Sequence, residues 1–399
     1  MTAPARVAVE DASTLDEVTY AWEAEVAPDA SPSTGPTWMR ATDGIDPRIP
    51  PCQYLIARRG PGELAALPMH VIHAPLGPDA DPRSYFGGTP DVPAEQVCCG
   101  SRQASPAAQI LASLPEDQVF PALLLGSMHG YKTEILHSYW TPALAADLAD
   151  AAVAYAGEHG IKTIIAPWVA DAGSGRALAR ELHHRQAVAS FWALEHYLPL
   201  RHGTMEAHLA AGRTRDRYRY HQDMRAARET GLTVRTLTTA EIIASLDRIG
   251  ALAAATRRRY GNDIADADVP KAVTRLLELG VPLLCTGGYR NGQLAACCVS
   301  VEKAGRVYAK HAGFDYDTLG TRSGAYFAVV MYATIAAAYN RNARIIEFGA
   351  GAHQAKTLRG CQPRDVTSYL LTQQPDVRDT FTAAAAANAP LRHAEYGSP

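Results

Sequence analysis

Three consecutive strand patterns in the second half of the chain constrain its fold more than any other feature. Apolar runs at residues 283–289 and 293–302 are joined by Arg290, Asn291 and Gly292, and Asn-Gly is the strongest short signal for a β-hairpin. The run 306–314 continues this antiparallel meander. Two helical patterns precede it, and an apolar helix and two further strands come after it. This order predicts a mixed sheet covered by helices.

The first half of the chain also alternates strand and helix patterns. Runs at 53–58 and 64–71 predict a hairpin, and Pro142 and Gly160 bracket a helix. Residues 74–107, rich in Pro, Gly, Asp and Ser, predict a long irregular excursion. Strands alternating with helices form open twisted sheets. We predict an α/β (α+β) fold with domains at residues 1–198 and 199–375, and a tail at 376–399 that is helical and then flexible from about Asn388.

Length and composition limit the functional classes. The 399 residues are enough for two cores. A formal net charge of −3 argues against a protein that coats nucleic acid over its whole surface. The longest uncharged apolar run, residues 325–339, is shorter than the ~20 residues that cross a bilayer. No pair among the seven cysteines has metal or redox spacing, so we expect a cytoplasmic protein without membrane insertion and without a metal site.

Three segments resemble a known family: Arg213–Val234, Gly287–Asp315 and Ile345–Leu371. They resemble the FemABX-like branch of the GNAT acyltransferase superfamily. The resemblance implies two tandem GNAT-like domains, each a mixed twisted sheet flanked by helices, with the chemistry in the second. It also implies a donor, which is aminoacyl-tRNA in one branch and acyl-CoA in another. No long charged heptad helix, typical of the FemX-like arm, occurs here, which favours a small acceptor of a biosynthetic route such as antibiotic biosynthesis.

Residues 349–360, here called the glycine loop, are the most specific part of the resemblance. Gly349 and Gly351 allow close approach of the backbone to a ligand. Lys356 and Arg359 supply donors for a phosphate or a carboxylate. The alternative is a glycine turn with solvated cations. We predict that the loop holds donor phosphate or acceptor anion.

Two side chains are candidates for the base that takes the acceptor proton. Glu347 lies in an apolar strand, where desolvation raises the pKa of a carboxylate towards a useful range. A solvent-facing or salt-bridged Glu347 is an equal alternative. His353 is the other candidate because the unperturbed pKa of histidine suits a base at neutral pH, although a single histidine in a loop is more often an ordinary surface residue.

Further candidates come from the strands and the helix that border the cleft in the resembled fold. Alternation places Tyr308 and Lys310 on one face of their strand and His311, a catalytic candidate, on the other. The resemblance implies that this strand diverges from its neighbour and binds the donor carbonyl. A helix start favours phosphate, and four donor-binding candidates lie there: Arg322, Ser323, Gly324 and Tyr326. Their spacing departs from the pyrophosphate signature of the superfamily, so coenzyme A is the alternative donor.

A basic helical pattern at residues 213–228 interleaves arginines with aromatic residues. Arginine neutralises phosphate, and tyrosine can stack on an unpaired base, such as those at the acceptor end of tRNA. The alternative is a solvated helix face. The predicted RNA-binding residues are Arg213, Arg215, Arg217, Arg219, Tyr220 and Arg225.

The resemblance implies a transferase, and together with the basic helix and the glycine loop it predicts one that uses aminoacyl-tRNA, acts on the amine or hydroxyl of a small acceptor and needs no cofactor. The tRNA would bind transiently as donor. An acyl-CoA-dependent N-acyltransferase is the alternative within the same reaction class. A non-catalytic RNA-binding or ligand-binding protein with the GNAT fold is the alternative of another class.

Overall fold

The computed structural model describes residues 6–11, 23, 27–60, 63–87, 105–137, 142–259, 264–320 and 323–396. The chain forms two compact units: Met1–Leu194 with Arg364–Pro399, and Glu195–Pro363. Within the described ranges, none of the helices combines the length and the apolar character needed to cross a bilayer.

The strands, in chain order, are β1 (Arg6–Asp11), β2 (Gln53–Gly60), β3 (Glu63–Ile72), β4 (Ala122–Leu125), β5 (Leu136–His137), β6 (Thr163–Ala170), β7 (Val188–Pro199), β8 (Thr233–Leu237), β9 (Leu283–Arg290), β10 (Gln293–Lys303), β11 (Arg306–Phe314), β12 (Ile345–Gly349) and β13 (Gln362–Thr372).

The helices are α1 (Pro36–Thr42), α2 (Ser84–Gly87), α3 (Pro106–Leu111), α4 (Glu116–Val119), α5 (Pro142–Glu158), α6 (Gly173–His184), α7 (Met205–Ala211), α8 (Thr214–Glu229), α9 (Thr239–Ala244), α10 (Leu246–Arg259), α11 (Asp268–Glu278), α12 (Tyr316–Leu319), α13 (Thr334–Asn340), α14 (His353–Thr357) and α15 (Pro375–Tyr396). A π-helix, Tyr326–Ala333, leads directly into α13.

In the first unit, β1, β2, β3 and β4 pair in antiparallel order. β4 then pairs in parallel with β6, and β6 pairs antiparallel with β13. Alternation along β4 places Leu123 and Leu125 in one core, against α5 and α6, and Ala122 and Leu124 in another, against α3 and α15. Burial on both faces explains the uninterrupted apolar run of this strand.

The second unit repeats this pattern with different strands. β8, β9, β10 and β11 form an antiparallel meander. β11 pairs in parallel with β12, and β12 pairs antiparallel with residues of β7. Asn291 and Gly292 both have positive φ angles, 52° and 76°, as a two-residue hairpin requires. The predicted meander and hairpin are therefore confirmed.

The carboxyl-terminal segment differs from the prediction. β13 and α15 fold with the first unit, whereas the sequence pattern placed the end of the second domain at residue 375. α15 extends to Tyr396, beyond the predicted start of flexibility, and Asn388 within it is buried. Val377, Phe381 and Ala384 recur at helical spacing and enter the core of the first unit. Of the predicted excursion at 74–107, residues 88–104 lie outside the described residues, and Ser84–Gly87 is helical.

Candidate active site

The two parallel strands of the second unit separate after three residue pairs. Arg306 pairs with Ile345, and the register ends where Tyr308 meets Glu347. β11 continues to Phe314, whereas β12 stops at Gly349. Among the residues that the structure describes, no β-bridge joins the strands beyond this point. We call the space beyond these three pairs the strand gap.

A β-bulge lies beside the strand gap on β11. Val299 of β10 faces His311, whereas the next residue, Ser300, faces Ala309, so Lys310 is the extra residue. A bulge changes the alternation of side chains. Tyr308 and His311 therefore lie on the same face, because their partners Val301 and Val299 are two residues apart. The predicted alternation of these side chains is wrong for this reason.

His311 is unsuited to the catalytic role predicted for it. Burial, followed by the charges of Arg257 and Lys310, lowers the pKa of His311 to about 3. An imidazole with this pKa is neutral at physiological pH and is a weak proton acceptor. Tyr308 beside it is also buried, and Lys310 is half-buried.

Lys356 holds the glycine loop together rather than pointing at a ligand. Its Nζ donates hydrogen bonds of 2.8–3.0 Å to the carbonyl oxygens of Phe348, Gly349 and Ala350. An ammonium group has three donors, and each has a backbone acceptor here. The side chain is buried, so the loop closes around its own cation. The predicted role of Lys356 in holding phosphate is replaced by this structural one.

The glycines of the loop turn the chain. Gly349 and Gly351 have φ angles of 66° and 78°, and Ala352 has 50°, a region that favours glycine. A Cβ added to Gly349 would meet nothing within 4 Å, so the space beside its backbone is open. The open space therefore lies on the Cα side of Gly349, whereas its carbonyl oxygen accepts from Lys356.

Arg359 is also committed to the protein itself. Its Nε and Nη2 donate to Asp223 Oδ2 at 2.9 and 2.6 Å, and its Nη1 donates to the Ala355 carbonyl oxygen. The guanidinium lies 3.3 Å from the ring centroid of Phe327, and Tyr332 donates to the same carboxylate. The predicted anion-binding role of Arg359 is therefore replaced by a link between the glycine loop and α8.

Glu347 is salt-bridged, which was one of the two alternatives. Its Oε1 lies 3.1 Å from Arg306 Nη1, and the two side chains are 12% and 20% exposed. Ile346 and Phe348 point to the opposite, buried face, as alternation predicts. The ion pair with Arg306 therefore occupies this carboxylate oxygen of Glu347.

His353 forms a hydrogen bond with a histidine that the sequence patterns did not single out. Its Nδ1 lies 2.9 Å from Nε2 of His196 on β7. His196 is fully buried, and burial, then the charge of Lys356, lowers its pKa to about 4. His353 is half-buried, and burial lowers its pKa as well. A histidine within the apolar run of β7 was the available signal for His196.

The predicted donor-binding residues at 322–326 serve packing where the structure describes them. Arg322 lies outside the described residues. Gly324 has a φ of 66°, and an added Cβ would lie 2.7 Å from the Asp223 carbonyl oxygen of α8. Ser323 is buried, and Tyr326 packs against Phe327. The absence of a side chain at Gly324 therefore allows its backbone to pack closely against the backbone of α8.

The arginines of α8 divide into two groups. Arg217 donates to the Gly212 carbonyl oxygen at 2.6 Å, and Arg219 donates to the Leu358 carbonyl oxygen at 2.7 Å. The predicted RNA-binding residues that are exposed are Arg213, Arg215 and Arg225.

The aromatic residues of α8 divide in the same way. Tyr220 packs edge-on against Tyr332, with ring centroids 4.8 Å apart, in the core. Tyr218 is 62% exposed. It lies between Arg215 and Arg225 at spacings of three and seven residues, which is one helix face. The tyrosine able to stack on a base is therefore Tyr218 and not the predicted Tyr220.

Comparisons with known proteins agree with this architecture. A FemAB-like family model, described as peptidoglycan biosynthesis/recognition, matches residues 124–391. Among curated proteins no sequence match is found. The crystal structure of FemX aligns with a TM-score of 0.55 at 10% identity, covering 94% of this chain and 99% of that one.

Two further structures are similar over almost the whole chain. The C-terminal domain of a protein assigned as a lysylphosphatidylglycerol synthetase from Agrobacterium fabrum aligns with a TM-score of 0.52 at 11% identity, covering 95% and 98%. A tandem GNAT protein from the clavulanic acid biosynthesis pathway aligns at 0.44 and 12%, covering 93% and 99%. The predicted α/β (α+β) fold class is confirmed by the mixed sheet with flanking helices and by the likeness to the fold of FemX. Since the family model spans more than half of the chain, this protein belongs to the FemAB-like family and is an acyltransferase.

Proposed function

We propose that this acyltransferase moves an aminoacyl group from charged tRNA to the amine or hydroxyl of a small acceptor. The observation that carries the proposal is the exposed face of α8. Arg215, Tyr218 and Arg225 lie on this face, with Arg213 exposed at its amino-terminal end. Cations that neutralise phosphates around an aromatic ring suit single-stranded RNA.

The same helix is joined to the candidate active site by two contacts. Arg219 of α8 donates to the Leu358 carbonyl oxygen of the glycine loop. Asp223 of α8 accepts from Arg359 in an ion pair whose side chains are 13% and 8% exposed. RNA bound on α8 would therefore be held against an element fixed to the glycine loop, and positioning of reactants is itself a large catalytic term.

In the proposed reaction, the acceptor nitrogen or oxygen attacks the carbonyl carbon of the aminoacyl ester. The bond from this carbon to the acceptor forms, and its bond to the terminal ribose oxygen breaks. The acceptor loses one proton to a base, and the ribose oxygen gains one. His353 is the candidate base, because Glu347 is held in an ion pair. Backbone groups along the strand gap would stabilise the oxyanion.

The test is a filter-binding titration with charged and uncharged bacterial tRNA at several salt concentrations. Tyr218→Ala should weaken binding by about 5- to 150-fold, the equivalent of ~1–3 kcal/mol for one stacked base. Tyr218→Phe keeps the ring and serves as the matched control. Arg215→Ala with Arg225→Ala should lower the salt slope by about 1.4, whereas Arg341→Ala, at an exposed arginine outside α8, should not.

The same titration separates the alternatives. Salt-insensitive binding, or equal binding by the α8 variants, would contradict the tRNA donor. A shift in melting temperature with coenzyme A but not with tRNA would instead favour acyl-CoA. The description of the family directs the acceptor assays to peptidoglycan precursors as well as to small amines. Formation of an amide or ester product from charged tRNA is the result that the proposal requires.

A further inference from the structure

The helix that leads into α13 is wound as a π-helix over the eight residues Tyr326–Ala333. π-Helical turns are rare, and they occur frequently at functional sites. In this winding, residues five apart lie near one another on the helix surface, because backbone hydrogen bonds join residues i and i+5. In an α-helix the same two positions would be separated by about 140° around the axis. The winding therefore determines which side chains of this helix can act together.

Phe327 and Tyr332 are five residues apart in the π-helix, and both contact one ion pair. The guanidinium of Arg359 lies 3.3 Å from the ring centroid of Phe327. The Tyr332 hydroxyl donates a 2.7 Å hydrogen bond to Oδ2 of Asp223, the same oxygen that accepts from Nε and Nη2 of Arg359. One carboxylate oxygen thus accepts from three donors, and an aromatic ring covers the cation. The π-helix therefore holds both members of the pair.

Two buried threonines support this winding. Thr286 of β9 donates from its hydroxyl to the Val329 carbonyl oxygen at 2.9 Å, and the Thr334 hydroxyl lies 3.4 Å from the same oxygen. Hydroxyl groups that bond helix carbonyls compete with the hydrogen bonds of the helix itself. The sheet thus helps to maintain the winding that brings Phe327 and Tyr332 together.

We propose that Asp223 is a positioning residue that fixes the glycine loop relative to the face of α8 where charged tRNA binds. This inference rests on the proposed function for the identity of the donor. Arg359 also donates to the Ala355 carbonyl oxygen of α14, the helix that begins at His353, the candidate base. The contacts that lead from α8 to the candidate base therefore run through Asp223 and Arg359.

Asp223 and the RNA-binding tyrosine lie on different sides of α8. Tyr218 and Asp223 are five residues apart, which is about 140° around an α-helix. Tyr218 is 62% exposed, whereas the side chain of Asp223 is 13% exposed. A donor on the exposed face can therefore bind without touching Asp223. A change at Asp223 should act on the glycine loop and on the rate of transfer, and not on the affinity for the donor.

The first experiment measures amide hydrogen exchange of the glycine loop in the intact protein without substrate. Asp223→Asn keeps the size of the side chain but removes its charge, and the loop amides should exchange about 10- to 100-fold faster. Tyr332→Phe removes one of the three donors but keeps the ring against Tyr220. Its effect should be smaller, about 3- to 10-fold.

Asp81→Asn in the first unit is the matched control. Asp81 and Arg83 form an ion pair whose side chains are 10% and 18% exposed, so this change also removes a carboxylate from a largely buried pair. It should leave exchange of the glycine loop unchanged. Faster loop exchange in this control, equal to that in Asp223→Asn, would show a general loss of stability and would contradict the assignment to Asp223.

The second experiment adds uncharged tRNA. Bound tRNA should slow exchange of the glycine loop in the unmodified protein but not in Asp223→Asn, whose affinity for tRNA should stay within about 2-fold. Where transfer is measurable, kcat of this variant should fall about 10- to 100-fold with little change in the KM for charged tRNA. If Asp223 had a merely structural role, tRNA would affect loop exchange equally in both proteins.

Two results would overturn the inference: unchanged loop exchange in both folded variants, or equal slowing by tRNA in the unmodified protein and Asp223→Asn. Should Asp223→Asn fail to fold, Tyr332→Phe provides the same comparison. Absence of tRNA binding to the unmodified protein would refute the proposed function and the donor part of this inference, while exchange without substrate would still decide whether Asp223 fixes the loop. Intact tRNA binding with unaltered loop exchange would refute this inference alone.

Discussion

The parallel strand pairs of the two units differ at the point where their strands diverge. In the first unit, β4 and β6 pair from Ala122–Thr163 to Leu124–Ile165. Thr133 then returns to the point of divergence and bridges to Val169 in parallel register. Its hydroxyl hydrogen-bonds to the carbonyl oxygens of Leu125 on β4 and Pro167 on β6. Thr133 thus bridges β4 and β6 at the point where the two strands separate.

The second unit uses no such insertion among its described residues. β11 and β12 separate after Tyr308 and Glu347, and the carbonyl groups at the end of β12 are held by Lys356. In the first unit, the fully buried Trp168 lies in edge-on contact with Tyr85 and Tyr131 at the comparable position. The comparison supports our proposal that the chemistry lies in the second unit, because in the described part of that unit no bridge like that of Thr133 joins the two strands beyond their paired residues.

The largest expected effect is that of Lys356→Met. The variant leaves three carbonyl groups without their buried donor, and each such loss costs about 1–3 kcal/mol. We expect a free energy of unfolding lower by ~3 kcal/mol or more, measured in urea. Transfer should fall by at least ~100-fold, since small displacements of a site have effects of this size.

Lys132→Met in the first unit is the matched control for this prediction. Lys132 is also buried, 3.8 Å from Glu134 Oε1, so its removal should lower stability as well. It should leave the transfer rate of the folded protein unchanged. Equal losses of transfer in both variants, at temperatures where both are folded, would contradict the assignment of chemistry to the second unit.

Much of the fold could be predicted from local patterns. The Asn291-Gly292 turn and the alternation around Ile346 and Phe348 are decided by backbone conformation and by one buried face. The boundary between the units could not be predicted in the same way. β13 pairs with β6, about 200 residues earlier in the chain, and no local signal records such a partner.

The site was harder to predict than the fold because its cations have partners distant in sequence. Lys356 and Arg359 were predicted as ligand-binding residues, yet their acceptors are loop carbonyl groups and Asp223, 136 residues away. The sequence shows that a hydrogen-bond donor is present, but not which hydrogen-bond acceptor it contacts in the folded chain. The same limit explains Tyr218 and Tyr220: periodicity separates their faces, but only packing shows which face is buried.

Filling the strand gap of the second unit with a larger side chain should weaken donor binding. Ala309 is the first β11 residue beyond the paired segment, and it is partly buried beside Tyr326. Ala309→Leu adds three carbon atoms where we place the donor. We expect a 10- to 100-fold rise in donor KM, about 1.4–2.7 kcal/mol. Ala309→Ser, similar in size to alanine, is the control, and an unchanged KM in the leucine variant would place the donor elsewhere.

The smallest effect should come from removing the Thr133 hydroxyl that bridges the separated ends of β4 and β6 in the first unit. Thr133→Val keeps the shape of the side chain but removes the hydroxyl that lies between the Leu125 and Pro167 carbonyl oxygens. The expected loss of unfolding free energy is about 1–3 kcal/mol, and Thr133→Ser, which keeps the hydroxyl, should recover much of it. Transfer kinetics should not change, because Thr133 lies where β4 and β6 separate, and we propose no catalytic role for that part of the first unit. A change in kcat or acceptor KM in the valine variant, with the serine variant normal, would show that the closed separation contributes to the reaction. The two units would then differ in which substrate they hold, and not in whether they hold one.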